Sequence, residues 1–269
     1  MLLSEFCREI YCIERSIGPA AHKTQLKIIS AFSRFLGHLA TLEDLPQTNH
    51  WLMHCSASLK PGTVQSYRAQ ILSIWRLARE VMPDQVSRVK LRERPRWQPT
   101  PWAWSETEMR LLLAAASNLR GNYGEVPRST WWRLFLQVAW QTGLRRTDLS
   151  LLRRSQIRPS FAICQHKTGK IVVCGLDPQT IAEVGQLPGD QPFKLPMSEE
   201  SIRQHWLQIV AAAGVRRGPF KFVRKSSGNY SEEQLPGAGC RLLGNERRVF
   251  DAHYLDPTRL PGIPRPPVL

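Results

Sequence analysis

The sequence predicts a mainly α protein of two domains, the second of which contains one small antiparallel β-sheet. Three observations predict this architecture. Apolar residues recur at helical spacing through the N-terminal third of the chain, a proline-rich basic segment follows, and two short β-rich runs flank a glycine-containing turn further on.

Composition restricts the function classes before any motif is considered. The 269 residues include 37 Lys and Arg against 22 Asp and Glu, which gives a formal net charge of +15, and 42% of the residues are hydrophobic. A hydrophobic content of this size excludes disorder for most of the chain, and the excess of positive charge favours a polyanionic partner such as nucleic acid. No segment approaches the roughly 18 consecutive apolar residues of a membrane span, so we expect a cytoplasmic protein with no membrane association.

Residues 1 to 92 are predicted to form a small all-α domain. Apolar residues recur at steps of three and four from Leu3 to Ile13, from Leu26 to Leu39 and from Val64 to Val81. Each such stripe buries one face of a helix against the other helices. The helices are expected to be interrupted at Gly18-Pro19, Leu45-Pro46 and Pro61-Gly62-Thr63, with Gly62 or Thr63 capping the last of them.

Residues 93 to 102 are predicted to be a linker, because the surrounding segment is rich in proline and basic residues and has no periodic apolar face. The second domain is then expected from residue 103 to residue 269. Its first helix has a start signal in Ser105, followed three residues later by Glu108, which is the pattern of a capping box.

The second domain carries stronger local signals than the first. Trp131 to Gln141 is apolar on all sides and is predicted to be a central buried helix that stops at Gly143. The β-rich runs 161 to 165 and 171 to 174 enclose His-Lys-Thr-Gly-Lys and predict a β-hairpin. The stretch from Ser226 to Gly239 is rich in glycine, serine and proline and gives no clear prediction, and the C-terminal tail is proline-rich.

The six cysteines include no C-x-x-C pair, and no group of Cys and His has the sequence spacing of a zinc site. We therefore expect reduced thiols, no metal site and no cofactor.

Five short motifs follow one another in the second domain. They are TGLRRTDL at 142 to 149, HKTGK at 166 to 170, KFVRK at 221 to 225, LLGN at 242 to 245 and HY at 253 to 254. In this order and at these separations the sequence resembles the tyrosine recombinases, the phage-integrase family of site-specific DNA recombinases. The resemblance covers nearly the whole chain and implies a helical core-binding (SAM-like) domain, a linker and a mostly helical catalytic domain.

The resemblance implies a catalytic role for six residues. Two arginines would neutralise the scissile phosphate, a hairpin lysine would protonate the leaving 5′ oxygen, and a tyrosine would form a covalent 3′-phosphotyrosyl intermediate. By position these residues are Arg145, Lys167, Lys221, Arg224, Asn245 and Tyr254, and Asp148 stands where an acidic residue commonly supports the first arginine. Arginine suits this task because its guanidinium presents paired donors to phosphate oxygens.

Two of these positions depart from the family pattern. Lys221 stands where histidine is usual, and its ammonium still donates to phosphate. Asn245 also replaces histidine; an amide donates a hydrogen bond but does not hold a proton, so we expect reduced activity. Tyr230 is a rival candidate for the nucleophile, but its spacing does not fit the family.

The implied partners are double-stranded DNA and three further copies of the chain, which would assemble as a tetramer on DNA in the nucleoid. Basic side chains that would contact DNA are Lys23, Lys27, Lys60, Arg68, Arg76 and Lys225. Two alternatives stay open at this point. One is a catalytically impaired relative that binds DNA as an accessory protein, and the other is a type IB topoisomerase-like strand transferase.

Overall fold

The computed structural model describes residues 1–86 and 101–259 and divides the chain into two compact units, Met1–Pro99 and Thr100–Leu269. Residues 93–100 of the predicted linker and 260–269 of the predicted tail lie outside the described residues. Among the described residues, no helix combines the length and apolar character needed to cross a bilayer.

In the described part of the first unit, residues 1–86, the regular secondary structure is helical apart from one isolated bridge between Leu2 and Thr41. Its helices are α1 (Leu3–Phe6), α2 (Cys12–Glu14), α3 (Pro19–Leu36), α4 (Thr48–Ser58) and α5 (Pro61–Val81). A π-helical turn at Cys7–Tyr11 joins α1 to α2, and 3-10 turns cover Leu42–Gln47 and Pro83–Gln85. Trp51 and Phe32 lie at the centre of its core, with ring centroids 5.0 Å apart.

The predicted apolar stripes bury most of their members, but three assignments are wrong. Ile13 and Leu39 are each 69% exposed and Val81 is 47% exposed. The π-helical turn shifts the face on which Ile13 lies, and Leu39 follows Gly37, whose left-handed φ of 79° ends α3. The helix α5 also starts earlier than expected, because Lys60 occupies its N-cap and Pro61 its first turn.

The second unit is mostly helical, with two separate two-stranded antiparallel sheets. Its helices are α6 (Glu106–Ser117), α7 (Arg128–Thr142), α8 (Arg146–Ser150), α9 (Pro178–Val184), α10 (Glu199–Ala212), α11 (Lys221–Gln234), α12 (Ala238–Leu243) and α13 (Arg247–His253). The strands are β1 (Asn122–Tyr123), β2 (Val126–Pro127), β3 (Ser160–Cys164) and β4 (Ile171–Gly175), and 3-10 turns cover Arg154–Gln156 and Pro257–Arg259. The mainly helical fold class with a small antiparallel sheet is confirmed.

The local signals of the second unit are also confirmed. The Ser105 hydroxyl accepts from the backbone N–H of Glu108, whose carboxylate accepts from the Ser105 N–H in return. The helix α7 is buried along most of its length, and Gly143 ends it with a φ of 61°. In the hairpin, Ile163 pairs with Val172, and one face of β3 and β4 is buried while the other is exposed.

The stretch without a clear prediction forms most of α11 and the start of α12. Its glycines allow the two helices to approach closely rather than interrupting them. A Cβ on Gly239 would lie 2.3 Å from the carbonyl oxygen of Gly228 and 2.6 Å from Phe250 Cζ. Gly228 therefore lies inside an unbroken α11, despite the low helix propensity of glycine.

Candidate active site

The first arginine of the site follows the C-terminal end of α7. Gly143 turns the chain out of the helix, and a Cβ at this position would lie 2.7 Å from the side chain of Leu243. Arg145 then takes an extended conformation as the N-cap of α8. The turn therefore brings Arg145 close to the segment that carries Leu243 and Asn245.

Two polar side chains hold Arg145. Its Nη1 donates to Gln165 Oε1 at 2.6 Å and lies 3.8 Å from the Asp148 carboxylate. Asp148 is buried, and its other oxygen accepts from the backbone N–H of His166 at 2.9 Å. The carboxylate thus links the arginine to the beginning of the hairpin loop.

The second arginine, Arg224, lies on α11 and is only 4% exposed. Its two terminal nitrogens donate to the carbonyl oxygens of Gly143 and Leu243, each at 2.6 Å. Its Nε is buried and has no hydrogen-bond partner within the described residues. Arg224 therefore joins the turn after α7 to the end of α12, and its Nε–H remains without a partner.

Tyr254 lies at the C-terminal end of α13, with its ring parallel to that of Phe250. The centre of its ring is 5.7 Å from the guanidinium carbon of Arg224. Burial alone raises the pKa of a phenol, but the charge of Arg224, donors from Arg224 and Asn245, and the charge of Arg145 together lower the pKa of Tyr254. The surroundings thus favour the phenolate, which is the nucleophilic form.

Asn245 follows a left-handed glycine, Gly244, whose φ is 63°. A Cβ on Gly244 would lie 2.4 Å from Val172, so glycine is required where this turn meets β4. The Asn245 side-chain nitrogen is buried and makes no hydrogen bond of ordinary geometry to the part of the chain that the structure describes. Two buried donors beside the phenol, on Asn245 and Arg224, are therefore available to a ligand.

Gln165 is a site residue that sequence analysis missed. It is 1% exposed, and besides accepting from Arg145 it donates to the Leu243 carbonyl oxygen at 3.1 Å. Its backbone also accepts from Thr168 and Gly169, which closes the turn that carries Lys167. No local signal identifies it, because its main partners are 20 and 78 residues away in the chain.

A second buried carboxylate holds the elements on which Asn245 and Tyr254 lie. Glu232 accepts from the backbone N–H groups of Gly237 at 3.0 Å and Gly239 at 3.1 Å, and it forms an ion pair with Arg247 at the start of α13. It therefore connects α11 to α12 and α13.

The backbone around Tyr254 is anchored on both sides. The Asn229 side chain donates to the Tyr254 carbonyl oxygen at 2.8 Å and accepts from the Asp256 N–H at 2.7 Å. Asp256 is itself buried and accepts from the N–H of Ala103, at the start of the second unit's described part. Arg259 then donates to the Trp104 carbonyl oxygen and pairs with Glu233.

Four of the six candidate residues thus come together: Arg145, Arg224, Asn245 and Tyr254. Lys167 and Lys221 are exposed, at the tip of the hairpin and at the first position of α11. Neither side chain makes a hydrogen bond or an ion pair with another described residue.

The predicted DNA contacts fall into two groups. Lys225 lies on α11 near the site and is half-buried, with its ammonium 4.7 Å from the centre of the Phe222 ring. Burial and the charge of Lys221 lower the pKa of Lys225, while the charges of Tyr254 and Asp256 act to raise it. The other five residues lie in the first unit. Lys23 and Lys27 are on α3, Lys60 is the N-cap of α5, and Arg68 and Arg76 are within α5. Lys23, Lys27, Lys60 and Arg76 are exposed and Arg68 is half-buried.

The predicted rival phenol, Tyr230, lies away from this cluster of cations. Its ring packs against that of Trp140, with centroids 5.3 Å apart.

The sequence matches no protein-family model and no curated protein. Solved structures do match. A lambda integrase dimer bound to a COC′ core site is 18% identical, with a TM-score of 0.73 and 95% of both chains covered. A lambda integrase tetramer bound to a Holliday junction is also 18% identical, with a TM-score of 0.69 over 91% of this chain and 76% of that one.

XerH site-specific recombinase bound to difH substrate is 14% identical, with a TM-score of 0.66 over 96% of this chain and 81% of that one. All three alignments extend over nearly the whole of this chain. The chain has the fold of the tyrosine recombinases.

Proposed function

We propose that this protein is a site-specific DNA recombinase or integrase that cleaves and rejoins DNA through a covalent 3′-phosphotyrosyl intermediate on Tyr254. One observation carries the proposal. The Tyr254 phenol lies beside Arg224 and Asn245, which lower its pKa, and the buried Arg224 Nε and Asn245 Nδ2 atoms make no hydrogen bond of ordinary geometry in the described part of the chain. Buried donors are costly when unpaired, and a phosphodiester offers the anionic oxygens that would satisfy them.

In this mechanism, Arg145 and Arg224 neutralise the charge that develops on the non-bridging oxygens of the phosphate. Both guanidiniums are held before substrate arrives, Arg145 by Gln165 and Asp148 and Arg224 by two backbone carbonyl groups. Preorganised donors of this kind lower the barrier most, because they need no reorientation during the reaction. Loss of one donor typically costs about 3 to 4 kcal/mol.

Tyr254 is the nucleophile. Arg224, Asn245 and Arg145 lower its pKa, which increases the phenolate fraction available for attack on phosphorus. The 5′ oxygen of the DNA leaves, and the phosphotyrosyl bond conserves the energy of the broken phosphodiester. A 5′ hydroxyl can then attack this bond and rejoin the strand, so the step needs no nucleotide cofactor.

Lys167 is proposed as the general acid that protonates the leaving 5′ oxygen. The base of its hairpin is fixed to the site through Gln165 and Asp148, while Lys167 itself lies exposed at the tip. A tip that projects from a fixed base can reach bound DNA. General acid catalysis of this kind contributes typically about 10²- to 10⁴-fold. Lys221, exposed at the start of α11, is proposed as a further donor to phosphate.

The exposed cations of the first unit are proposed to contact DNA phosphates. Such contacts fix the position of a protein on the duplex without reading its sequence, and they weaken steeply as salt increases. The similar structures are described as DNA complexes, and one of them as a tetramer on a Holliday junction. By analogy we propose that four copies of this chain assemble on DNA, which would place the protein at the nucleoid.

The decisive experiment traps the covalent intermediate. Purified protein is incubated with a library of nicked duplexes of randomised sequence. Cleavage near the nick releases a short fragment that carries the free 5′ hydroxyl, and its loss prevents religation. Protein that remains attached to DNA after denaturation is isolated, and its DNA is sequenced. The wild type and Tyr230→Phe should form the adduct, whereas Tyr254→Phe should not.

The alternatives give different results in the same experiment. Binding of DNA without any adduct would overturn the enzyme assignment in favour of an accessory protein. Adducts that show no sequence preference, together with relaxation of any supercoiled plasmid, would indicate a topoisomerase-like strand transferase.

A further inference from the structure

Three potential metal ligands lie together in the first unit, whereas the site described above belongs to the second unit. The ligand atoms of Cys7, Cys12 and His22 all lie within 4.8 Å of one another, and the two sulfur atoms are 4.0 Å apart. The sequence spacing of these residues is not that of a known zinc motif, and the structure nevertheless brings them together.

The π-helical turn at Cys7–Tyr11 explains why the two cysteines meet. In an α-helix the backbone hydrogen bonds join residues four apart, so a pair five apart diverges around the axis. Here the Cys12 N–H donates to the Cys7 carbonyl oxygen, which is the five-residue bond of a π-helix. This bond returns Cys12 to the face of Cys7, and single π-helical turns of this kind occur frequently at functional sites.

The third residue, His22, comes from the first turns of α3. Its Nε2 is buried and has no hydrogen-bond partner among the described residues. A neutral imidazole nitrogen in this situation is a good ligand for a borderline or soft metal ion.

Gln25 lies one turn further along α3 and completes the cluster. Its side-chain oxygen is 3.6 Å from the Cys7 sulfur and 3.5 Å from the Cys12 sulfur, and its nitrogen donates to Gln70 on α5 at 3.4 Å. These distances are ordinary for hydrogen bonds that involve sulfur, so the single Gln25 oxygen accepts from both thiols. Its oxygen is in place to occupy or to face a fourth coordination position.

We propose that Cys7, Cys12 and His22 bind one Zn²⁺ ion, with the Gln25 oxygen or a water molecule as the fourth ligand. Two thiolates and one imidazole are a common donor set for zinc, which prefers four ligands in a tetrahedron. Ligand bonds of about 2.3 Å to sulfur and about 2.0 Å to nitrogen require only small inward movements from the present separations.

The ion would join the N-terminal helical segment to α3. Hydrogen bonds from the two cysteine sulfurs to Gln25 already link these elements. A ligand that binds only the folded state raises stability in proportion to the logarithm of its concentration over its dissociation constant. The role we infer is therefore structural, and it is independent of the chemistry proposed for the second unit.

The test uses the full chain, purified under reducing conditions without a polyhistidine tag and stripped with a chelator. Titration with Co²⁺ should give one equivalent of bound ion with thiolate-to-cobalt charge-transfer absorption, and Zn²⁺ should displace it. Cys12→Ser and His22→Gln should each weaken binding at least about tenfold, and Zn²⁺ should raise the melting temperature of the wild type but not of Cys12→Ser.

Cys55→Ser is the matched control, because Cys55 is a buried cysteine of the same unit outside the cluster. It should bind Co²⁺ and respond to Zn²⁺ as the wild type does. The proposal is overturned if the wild type shows no thiolate-to-cobalt band, or if His22→Gln and Cys12→Ser bind zinc as tightly as the wild type. Circular dichroism of each variant before titration establishes that it is folded.

Discussion

The Arg145 guanidinium donates a 2.6 Å hydrogen bond to the side-chain oxygen of Gln165, and the same side chain donates to the Leu243 carbonyl oxygen at 3.1 Å. A single buried amide therefore fixes the first arginine relative to the turn that carries Asn245. It also starts the hairpin loop on which Lys167 lies. Gln165 is a positioning residue in this arrangement, since it acts through Arg145 and the Leu243 turn.

Replacing Gln165 with alanine should leave DNA binding nearly unchanged but slow the formation of the covalent adduct about tenfold to hundredfold. This is less than the roughly 10²- to 10³-fold effect expected for removing a direct donor, because Arg145 is still present but less well held. Single-turnover rates at saturating DNA measure the effect, with exposed Gln186→Ala as the control. Equal losses of binding and rate would contradict a positioning role.

Arg224→Lys should lower both stability and activity. A lysine ammonium does not reproduce the two bonds to Gly143 and Leu243 while also offering a donor to the phenol. We expect about 1 to 3 kcal/mol less stability in urea unfolding and at least about a 10²-fold slower adduct formation. Arg217→Lys, at an exposed position in the same unit, should change neither quantity.

Asn245→Ala should raise the pKa of Tyr254, because it removes one of the donors that favour the phenolate. The folded-state pKa lies below the ordinary value of 10.0, so Tyr254 adds stability that is fully present above pH 10 and is lost as pH falls through the folded-state pKa. Ultraviolet titration of phenolate, with Tyr254→Phe as the subtracted reference, measures the shift.

A downward shift or no shift in Asn245→Ala would contradict this role for Asn245. The complementary variant is Asn245→His, which adds a group able to carry a proton. We expect it to accelerate adduct formation at least roughly tenfold.

Glu232→Gln should destabilise the protein by about 1 to 3 kcal/mol at neutral pH, since a buried carboxylate that accepts two backbone N–H groups and pairs with Arg247 is replaced by a neutral amide. Although burial acts to raise it, the pKa of Glu232 is lowered by the Gly237 and Gly239 donors and by Arg247. Its contribution is therefore present above pH 4.5 and is lost as pH falls through the folded-state pKa.

Thermal unfolding of wild type and Glu232→Gln between neutral and acid pH measures this dependence. The difference in melting temperature should be constant near neutrality and should narrow below about pH 4. Glu43→Gln, at an exposed position, is the control, and its melting temperature should equal that of the wild type at neutral and at acid pH. A difference in melting temperature that grows at acid pH would contradict the stabilising role of the Glu232 carboxylate.

Sequence predicted the elements whose signals are local. The end of α7 at Gly143, the capping box at Ser105 and the β3–β4 hairpin each depend on residues within one or two turns of the chain. The order of the motifs was also sufficient to select Arg145, Arg224, Asn245 and Tyr254, which the structure brings into one cluster. Their chemical roles are what the adduct experiments test.

Contacts between distant segments were not predicted. Glycine has a low helix propensity, so Gly228 and Gly239 argue against a helix when only neighbouring residues are considered. In the structure they permit the close approach of α11 and α12. Gln165 carries no signal because its partners lie far away in sequence. Cys7 and Cys12 meet only through a π-helical turn, which an apolar pattern of period 3.6 does not reveal.

The bond between Asp256 and the Ala103 N–H has a mechanical consequence. Asp256 is only two positions beyond Tyr254, while Ala103 and Trp104 mark the entry into the second unit and are held by Asp256 and Arg259. Tension applied where the chain enters this unit would thus pull directly on the backbone next to the phenol. Because Asp256 and Arg259 bond to Ala103 and Trp104, breaking these bonds would free the backbone that follows Tyr254.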